Sequence, residues 1–71
     1  RPYIRGSAVT VTPKDTLAAS YRKMKMFDVS QLPVMAKEKI VGILDETDIL
    51  LAVMGNPAGF GIEVSDAMTR K

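Results

Sequence analysis

One feature constrains the fold of this chain most: an apolar strand leads directly into the start of a helix. Residues 40–44 read Ile-Val-Gly-Ile-Leu, a short apolar run of the kind found in strands that are buried on both faces. Asp45 follows at once and Asp48 lies three residues further on, which is the spacing of a helix N-cap with an acid in the first turn. The two acids predict a capping box in which Asp48 replaces the usual Glu or Gln.

Two further strands are expected upstream of this junction. Residues 8–12 are mostly β-branched and stop at a proline. Residues 31–35 form a second apolar run, and the internal Pro33 fits only an edge strand or a strand start. The polar residues 36–39 then separate this run from residues 40–44, so the two runs are predicted to pair as a hairpin.

An amphipathic helix is predicted between the first two strands. Either Asp15 or Thr16 can cap its start, because both side chains accept hydrogen bonds from backbone N–H groups. The pattern ends near Asp28. Its apolar side chains recur at helical spacing: Leu17, Tyr21, Met24 and Phe27.

The order of elements predicts a small α+β domain, an α/β sandwich with a three-stranded sheet and two helices. Residues 55–61 are rich in glycine and proline, which indicates a linker. Residues 64–69 look like the start of a unit that is not completed. Two helices can hardly cover the apolar surface of the sheet, so a second copy of the unit is expected to pack against it.

Missing residue types exclude much chemistry. The chain has no Cys and no His, which removes disulfides, thiolate nucleophiles, the commonest general base and the usual metal ligands. No apolar run approaches the ~18 residues that would suggest a membrane span, and the first residues, Arg1-Pro2-Tyr3, are not followed by the apolar run expected of a signal peptide. We therefore expect a cytoplasmic, non-catalytic module without a metal site. Helix capping already accounts for Asp45 and Asp48, which could otherwise be taken as an acid–base pair.

Charge is unevenly distributed along the chain. Residues 1–39 carry eight Lys or Arg and three Asp or Glu, whereas residues 40–71 carry two and five, giving +5 and −3 within a net charge of +2. Arg22, Lys23 and Lys25 lie in one helical pattern among apolar residues. A solvated helix face explains them better than a nucleic-acid surface does.

Four motifs in order resemble the CBS domain family. The resemblance implies a β-α-β-β-α repeat over residues 8–54, a lead-in over 1–7, and a linker with the start of a second repeat over 55–71. Such a module is regulatory and pairs with a second repeat, in the same chain or in another copy as a homodimer. The motifs that carry the resemblance are Val11-Thr12-Pro13, Asp15-Thr16-Leu17, Leu32-Pro33-Val34 and the run from Gly42 to Asp48.

A finer resemblance is to the C-terminal regulatory region of bacterial cystathionine β-synthase-type enzymes. It lies in three segments, residues 27–34, 41–48 and 64–68. Those enzymes use pyridoxal phosphate in sulfur amino-acid metabolism. The resemblance implies an upstream catalytic domain that would hold this cofactor, because no Lys of the present chain has the sequence context of a Schiff-base residue.

The family resemblance also implies an adenosyl ligand between paired repeats. Asp48 occupies the position whose carboxylate accepts hydrogen bonds from the ribose hydroxyls. Asp45 departs from the family by replacing a Thr or Ser, and its negative charge would repel a phosphate. S-adenosylmethionine is therefore favoured over AMP or ATP. The alternative is that both acids are only caps and that the chain is a ligand-free oligomerisation module.

Further cleft residues follow from the same resemblance. Gln31 and Val29 would line the cleft beside the ligand. The first strand would offer backbone groups to an adenine edge, through Val9, Thr10, Val11 and Thr12. A polar strand-start residue and an ordinary core strand are the simpler explanations of these same residues.

Overall fold

The computed structural model describes residues 9–70. Two α-helices and a three-stranded antiparallel sheet make up this part of the chain, which confirms the predicted α+β class. The lead-in over residues 1–7 lies outside the described residues. The elements are β1 (Gln31–Ala36), β2 (Lys39–Asp45), β3 (Thr69–Arg70), α1 (Leu17–Phe27) and α2 (Glu46–Val53), with 3-10 turns at Pro57–Gly61 and Val64–Asp66.

Helix α1 begins and ends as the sequence indicates. Of the two possible caps, Thr16 is the one used: its Oγ1 accepts the N–H of Ala19 at 3.1 Å. Asp15 instead accepts the N–H of Thr12 at 2.8 Å, which ties the preceding turn to the helix start. Asp28 ends the helix with a left-handed backbone, φ 57°, a conformation that Asp tolerates better than most residues.

The predicted hairpin of β1 and β2 is confirmed, with a shorter turn. Lys37 and Glu38 alone form it, with φ values of 52° and 65°, as in the two-residue turns whose twist matches that of the strands. Pro33 lies within β1, and its carbonyl accepts the N–H of Val11 at 3.1 Å. Because its backbone faces away from β2, the missing N–H of Pro33 costs no hydrogen bond of the hairpin.

The third strand is not where the sequence predicts it. Within the described residues, the segment 8–12 contributes only one isolated parallel bridge, Val11 to Val34. Its backbone then turns, since Asp15 takes up both polar groups of Thr12: the carboxylate binds the Thr12 N–H and the Asp15 N–H binds the Thr12 carbonyl. The sheet is completed instead by β3, in which Arg70 pairs with Gly42.

Residues 57–70 pack against the same core as the preceding elements. Val64 is fully buried, its N–H donates to the carbonyl of Asp15 at 2.8 Å, and the carbonyl of Ile62 accepts the N–H of Leu17 at 2.9 Å. The division at residue 55 into one repeat and the beginning of a second stays a prediction about the organisation of the chain.

The core lies between the two helices and one face of the sheet. On β2, Gly42 and Leu44 are buried, whereas Val41 and Ile43 on the opposite face are only half-buried. The prediction that this strand is buried on both faces is therefore wrong for the single chain. Eight apolar side chains form the buried core: Val11, Leu17, Met24, Leu32, Val34, Leu44, Ile49 and Val64.

Candidate functional site

The candidate site is built on the junction between β2 and α2. Asp45 is both the last residue of β2 and the N-cap of α2. Its Oδ1 accepts the N–H of Thr47 at 2.8 Å, and its own N–H donates to Oδ2 of Asp48 at 2.9 Å. The predicted capping box is confirmed, and it holds both carboxylates in fixed positions.

The hairpin brings a third predicted residue to this junction. Gln31, the first residue of β1, lies directly opposite Asp45 in the register, and its Nε2 donates to Oδ2 of Asp45 at 2.9 Å. This hydrogen bond, together with that from Thr47, lowers the pKa of the Asp45 carboxyl. Asp45 therefore stays ionised at neutral pH, and both of its oxygens have partners.

A surface groove of about 430 Å³ opens beside the junction. Asp48 belongs both to the capping box and to the groove. A second carboxylate, from Asp66, comes from the C-terminal 3-10 turn. The remaining walls are apolar, and the full lining is Asp48, Leu51, Ala52, Ile62, Asp66 and Ala67.

Sequence reasoning missed half of this groove. The sequence pattern places Ile62, Asp66 and Ala67 in a linker and at the start of a second repeat, which predicts no contact of these residues with Asp48. One signal was available, because Val64 is an isolated apolar residue between two acids of the tail. Its complete burial anchors the turn that carries Asp66.

Val29 lies near the junction without a polar role of its own. Its side chain is half-buried and packs against the core, and its N–H donates to the carbonyl of Met24 at 3.0 Å. This bond helps to end α1 in the usual manner of a helix C-terminus. Whether Val29 also lines a ligand cleft stays a prediction.

The backbone groups predicted to meet an adenine edge largely have partners inside the chain. Val11 is buried and binds β1 through both its N–H and its carbonyl, at 3.1 and 2.8 Å. The Thr10 carbonyl accepts the Nζ of Lys23 at 2.8 Å, and Val9 packs partly against the core. Together with the Thr12 N–H, which binds Asp15, these groups have a structural use, and their role in binding a ligand stays a prediction.

Two basic residues of α1 are engaged within the chain. The ammonium of Lys23 binds the carbonyl of Thr10, and that of Lys25 lies 3.3 Å from the carboxylate of Glu46 and 5.2 Å from the centre of the Tyr21 ring. The hydrogen bond and charge of Glu46 raise the pKa of Lys25. These contacts favour a structural use of the basic helix over a nucleic-acid surface.

Over residues 9–70, no group of three or more acidic, His or Cys side chains is placed to hold a metal ion. Neither helix in this range has the length and apolar character that a membrane span requires.

Residues 3–55 match the family model of the CBS domain. The chain belongs to the CBS domain family. CBS domains are regulatory modules rather than catalytic ones, and they typically pair with a second repeat inside a larger protein. The capping box at Asp45 and Asp48 thus lies at the end of the segment that defines the family.

Known CBS proteins resemble the chain in sequence and in fold. It is 32% identical, over 68 residues, to an inosine-5′-monophosphate dehydrogenase of Korarchaeum cryptofilum, and the match covers 96% of this chain and 13% of that protein. It is 27% identical to a CBS-domain protein of Agrobacterium tumefaciens, with a TM-score of 0.84 over 92% of this chain and 54% of that one. A cystathionine β-synthase domain protein fused to a Zn-ribbon-like domain also matches at 27% identity and a TM-score of 0.80, covering 92% and 94% of the two chains.

The finer resemblance to cystathionine β-synthase-type enzymes is not shown by these relatives. One relative with a named activity is a dehydrogenase, and the chain spans only about an eighth of it. CBS-domain membership and the CBS fold are therefore established, while the larger protein and the ligand belong to the proposal below.

Proposed function

We propose that this chain is one half of a paired CBS module that binds an adenosyl ligand at Asp48 and regulates a larger protein. The observation that carries this is that Asp48 belongs both to the capping box and to the groove. Its Oδ2 is held by the N–H of Asp45, and the same side chain lines the groove. A carboxylate fixed in this way can accept hydrogen bonds from the two hydroxyls of a ribose.

The groove walls suit the rest of such a ligand. Four of the six lining residues are apolar, and small-molecule sites are mostly apolar with a few polar groups that fix orientation. Ala52 and Ala67 leave room for a flat ring, and Leu51 and Ile62 can pack against its faces. A paired repeat would close the open side of the groove.

The charges of the site favour a cationic ligand. Asp48 and Asp66 both line the groove, and the ionised Asp45 lies next to Asp48 in the capping box. Each would repel a phosphate, and the repulsion is strongest where the partner repeat excludes water. S-adenosylmethionine, which carries a sulfonium cation, is therefore proposed ahead of AMP and ATP.

Pairing is supported by the apolar surface of α2. Leu50 and Leu51 of this helix and its C-cap, Met54, expose 47%, 63% and 71% of their area. Exposed apolar groups this close together mark an interaction surface. A second CBS repeat, or a second copy of this chain in a homodimer, is the partner proposed for it.

Two larger proteins are candidates for the one that this module regulates. The motif resemblance supports a cytoplasmic, pyridoxal-phosphate-dependent cystathionine β-synthase-type enzyme, whose cofactor would be held by an upstream catalytic domain. The dehydrogenase relative supports a different metabolic enzyme. Sequencing the gene upstream of Arg1 separates these two, because only the first predicts a pyridoxal-phosphate catalytic domain there.

A ligand-free oligomerisation module is the second candidate. It is favoured by the engagement of both Asp45 oxygens inside the chain, because these two hydrogen bonds already give the carboxylate a structural role. In that case, deleting residues 1–71 from the larger protein would change its oligomeric state without changing its response to adenosyl metabolites.

Titration calorimetry of the full chain with S-adenosylmethionine, AMP and ATP tests the proposal. Asp48→Asn keeps an oxygen for the Asp45 N–H but removes the charge, so we expect S-adenosylmethionine affinity to fall roughly tenfold or more. Glu38→Gln is the matched control, because it makes the same charge change on the exposed hairpin turn. Absence of heat and of thermal stabilisation with all three compounds would overturn ligand binding and leave the oligomerisation module.

A further inference from the structure

We propose that Met54 is a site of reversible oxidation by peroxides, and that its sulfoxide weakens the association of this chain with a second copy through α2. The inference rests on the pairing part of the proposed function, since it concerns the same apolar surface. It gives that surface a response to oxidants that does not depend on any ligand at Asp48.

Methionine is the residue type of this chain that reacts most readily with a peroxide. The chain has five Met and no Cys, so its thioethers meet no competition from thiolates. In the reaction, a sulfur lone pair attacks one oxygen of hydrogen peroxide and the O–O bond breaks. An S–O bond forms, the sulfur loses two electrons, and the second oxygen takes the proton of the first and leaves as water.

Exposure separates the five methionines into two classes. Met24 is buried in the core, and Met35 and Met68 are half-buried. Met26 and Met54 expose 69% and 71% of their area. Because oxidation follows exposure, a peroxide should reach these two side chains first.

The two exposed methionines differ in what lies one helical turn before them. A helical side chain lies over the preceding turn, where Met26 has the exposed Arg22, a donor for a sulfoxide oxygen. Met54 has Leu50 and Leu51 there, and its N–H still bonds to the Leu50 carbonyl at 3.0 Å. The last turn of α2 contains no basic residue. A sulfoxide at Met54 therefore finds no charged donor on this turn of its helix.

Oxidation of Met54 thus places a polar acceptor in the middle of an apolar surface. Burying such a group without a hydrogen bond carries its full desolvation cost. In a two-fold symmetric pair, the same surface of each copy meets the other, so both sulfoxides would be buried. We expect the association constant to fall about tenfold or more.

Two variants isolate the effect of each exposed methionine in the full chain. Met26→Leu keeps Met54, whereas Met54→Leu keeps Met26, and leucine has a similar volume but cannot be oxidised. Each variant is treated with hydrogen peroxide, its sulfoxides are located by peptide mass spectrometry, and its association is measured by sedimentation velocity. Oxidised Met26→Leu should lose association and oxidised Met54→Leu should keep it. Two methionine sulfoxide reductases with a thiol reductant, one for each sulfoxide epimer, should restore association.

Several outcomes would overturn the inference while leaving pairing intact. These are an equal loss of association in both variants, oxidation of Met35 or Met68 ahead of Met54, and full association of Met26→Leu that carries the Met54 sulfoxide. A loss of association accompanied by a loss of helical circular dichroism would show unfolding instead, and also overturns it. If the unmodified chain does not associate at all, pairing of copies through α2 fails, and this inference fails with it.

Discussion

Gly59 lies directly against the backbone of Ala52, so that a β-carbon at position 59 would overlap the Ala52 carbonyl. This contact seats the Pro57–Gly61 turn on α2, and Gly59 is buried in the surface that they share. Ala52 is also a wall of the groove, and Ile62 follows the same turn. The absence of a side chain at residue 59 thus determines how closely the two walls approach.

Gly59→Ala is expected to destabilise the chain, because the neighbouring atoms belong to a helix backbone and cannot move aside. Overpacking of this kind costs about 1–3 kcal/mol. The control is Gly61→Ala, two residues later, where a β-carbon would meet nothing within 4 Å. Urea denaturation of both variants tests this, and equal stability of the two would contradict the close approach.

The burial of α2 against the core can be tested by removing one methylene group from a side chain that faces the core. Ile49 is fully buried, so Ile49→Val should lower the free energy of unfolding by about 0.5–1.5 kcal/mol. Ile40→Val makes the same chemical change where 45% of the side chain is exposed, and should cost clearly less. A larger loss at Ile40 than at Ile49 would show that α2 packs differently.

The pH dependence of stability reports on the capping box. The pKa of Asp45 is lowered in the folded chain, so its contribution is fully present above the unfolded-state pKa of about 3.9. That contribution is lost as the pH falls through the lower, folded-state value. Chemical unfolding between pH 2 and pH 6 should therefore show a flatter acid limb for Asp45→Asn than for the unmodified chain. An identical acid limb would mean that Asp45 is not held by Gln31 and Thr47.

The apolar surface of α2 is expected to mediate association. Met54→Lys places a charge on it and should shift the chain toward monomer in sedimentation velocity at tens to hundreds of micromolar. Met26→Lys is the matched control, since Met26 on α1 is exposed to nearly the same extent, 69% against 71%. An unchanged sedimentation profile for Met54→Lys, or a loss of association only with Met26→Lys, would place the interface elsewhere.

Local signals in the sequence predicted most of the local structure. The caps at Thr16 and Asp45 and the hairpin follow from side-chain chemistry and turn chemistry within a few residues. Only the family resemblance predicted that Gln31 and Asp45 lie at the same cleft. The physical cause of their contact is the register of the hairpin.

Features that depend on long-range packing were missed. Strand β3 has only two residues, too few for any periodic pattern, and it forms because the buried Val64 anchors the tail near β2. The segment 8–12 has the composition of a strand, yet Asp15 captures the polar groups of Thr12 and ends its pairing. The burial of Val64 also places Asp66 at the groove.

Adenosine titration followed by amide resonances of the isotopically labelled full chain tests the central claim most directly. If the groove binds the nucleoside, the largest shifts should be those of Asp48, Leu51, Ala52 and Ala67, and Asp48→Asn should remove them while Glu38→Gln leaves them unchanged. Shifts confined to other surfaces, or a spectrum that does not respond at millimolar adenosine, would contradict an adenosyl site at Asp48.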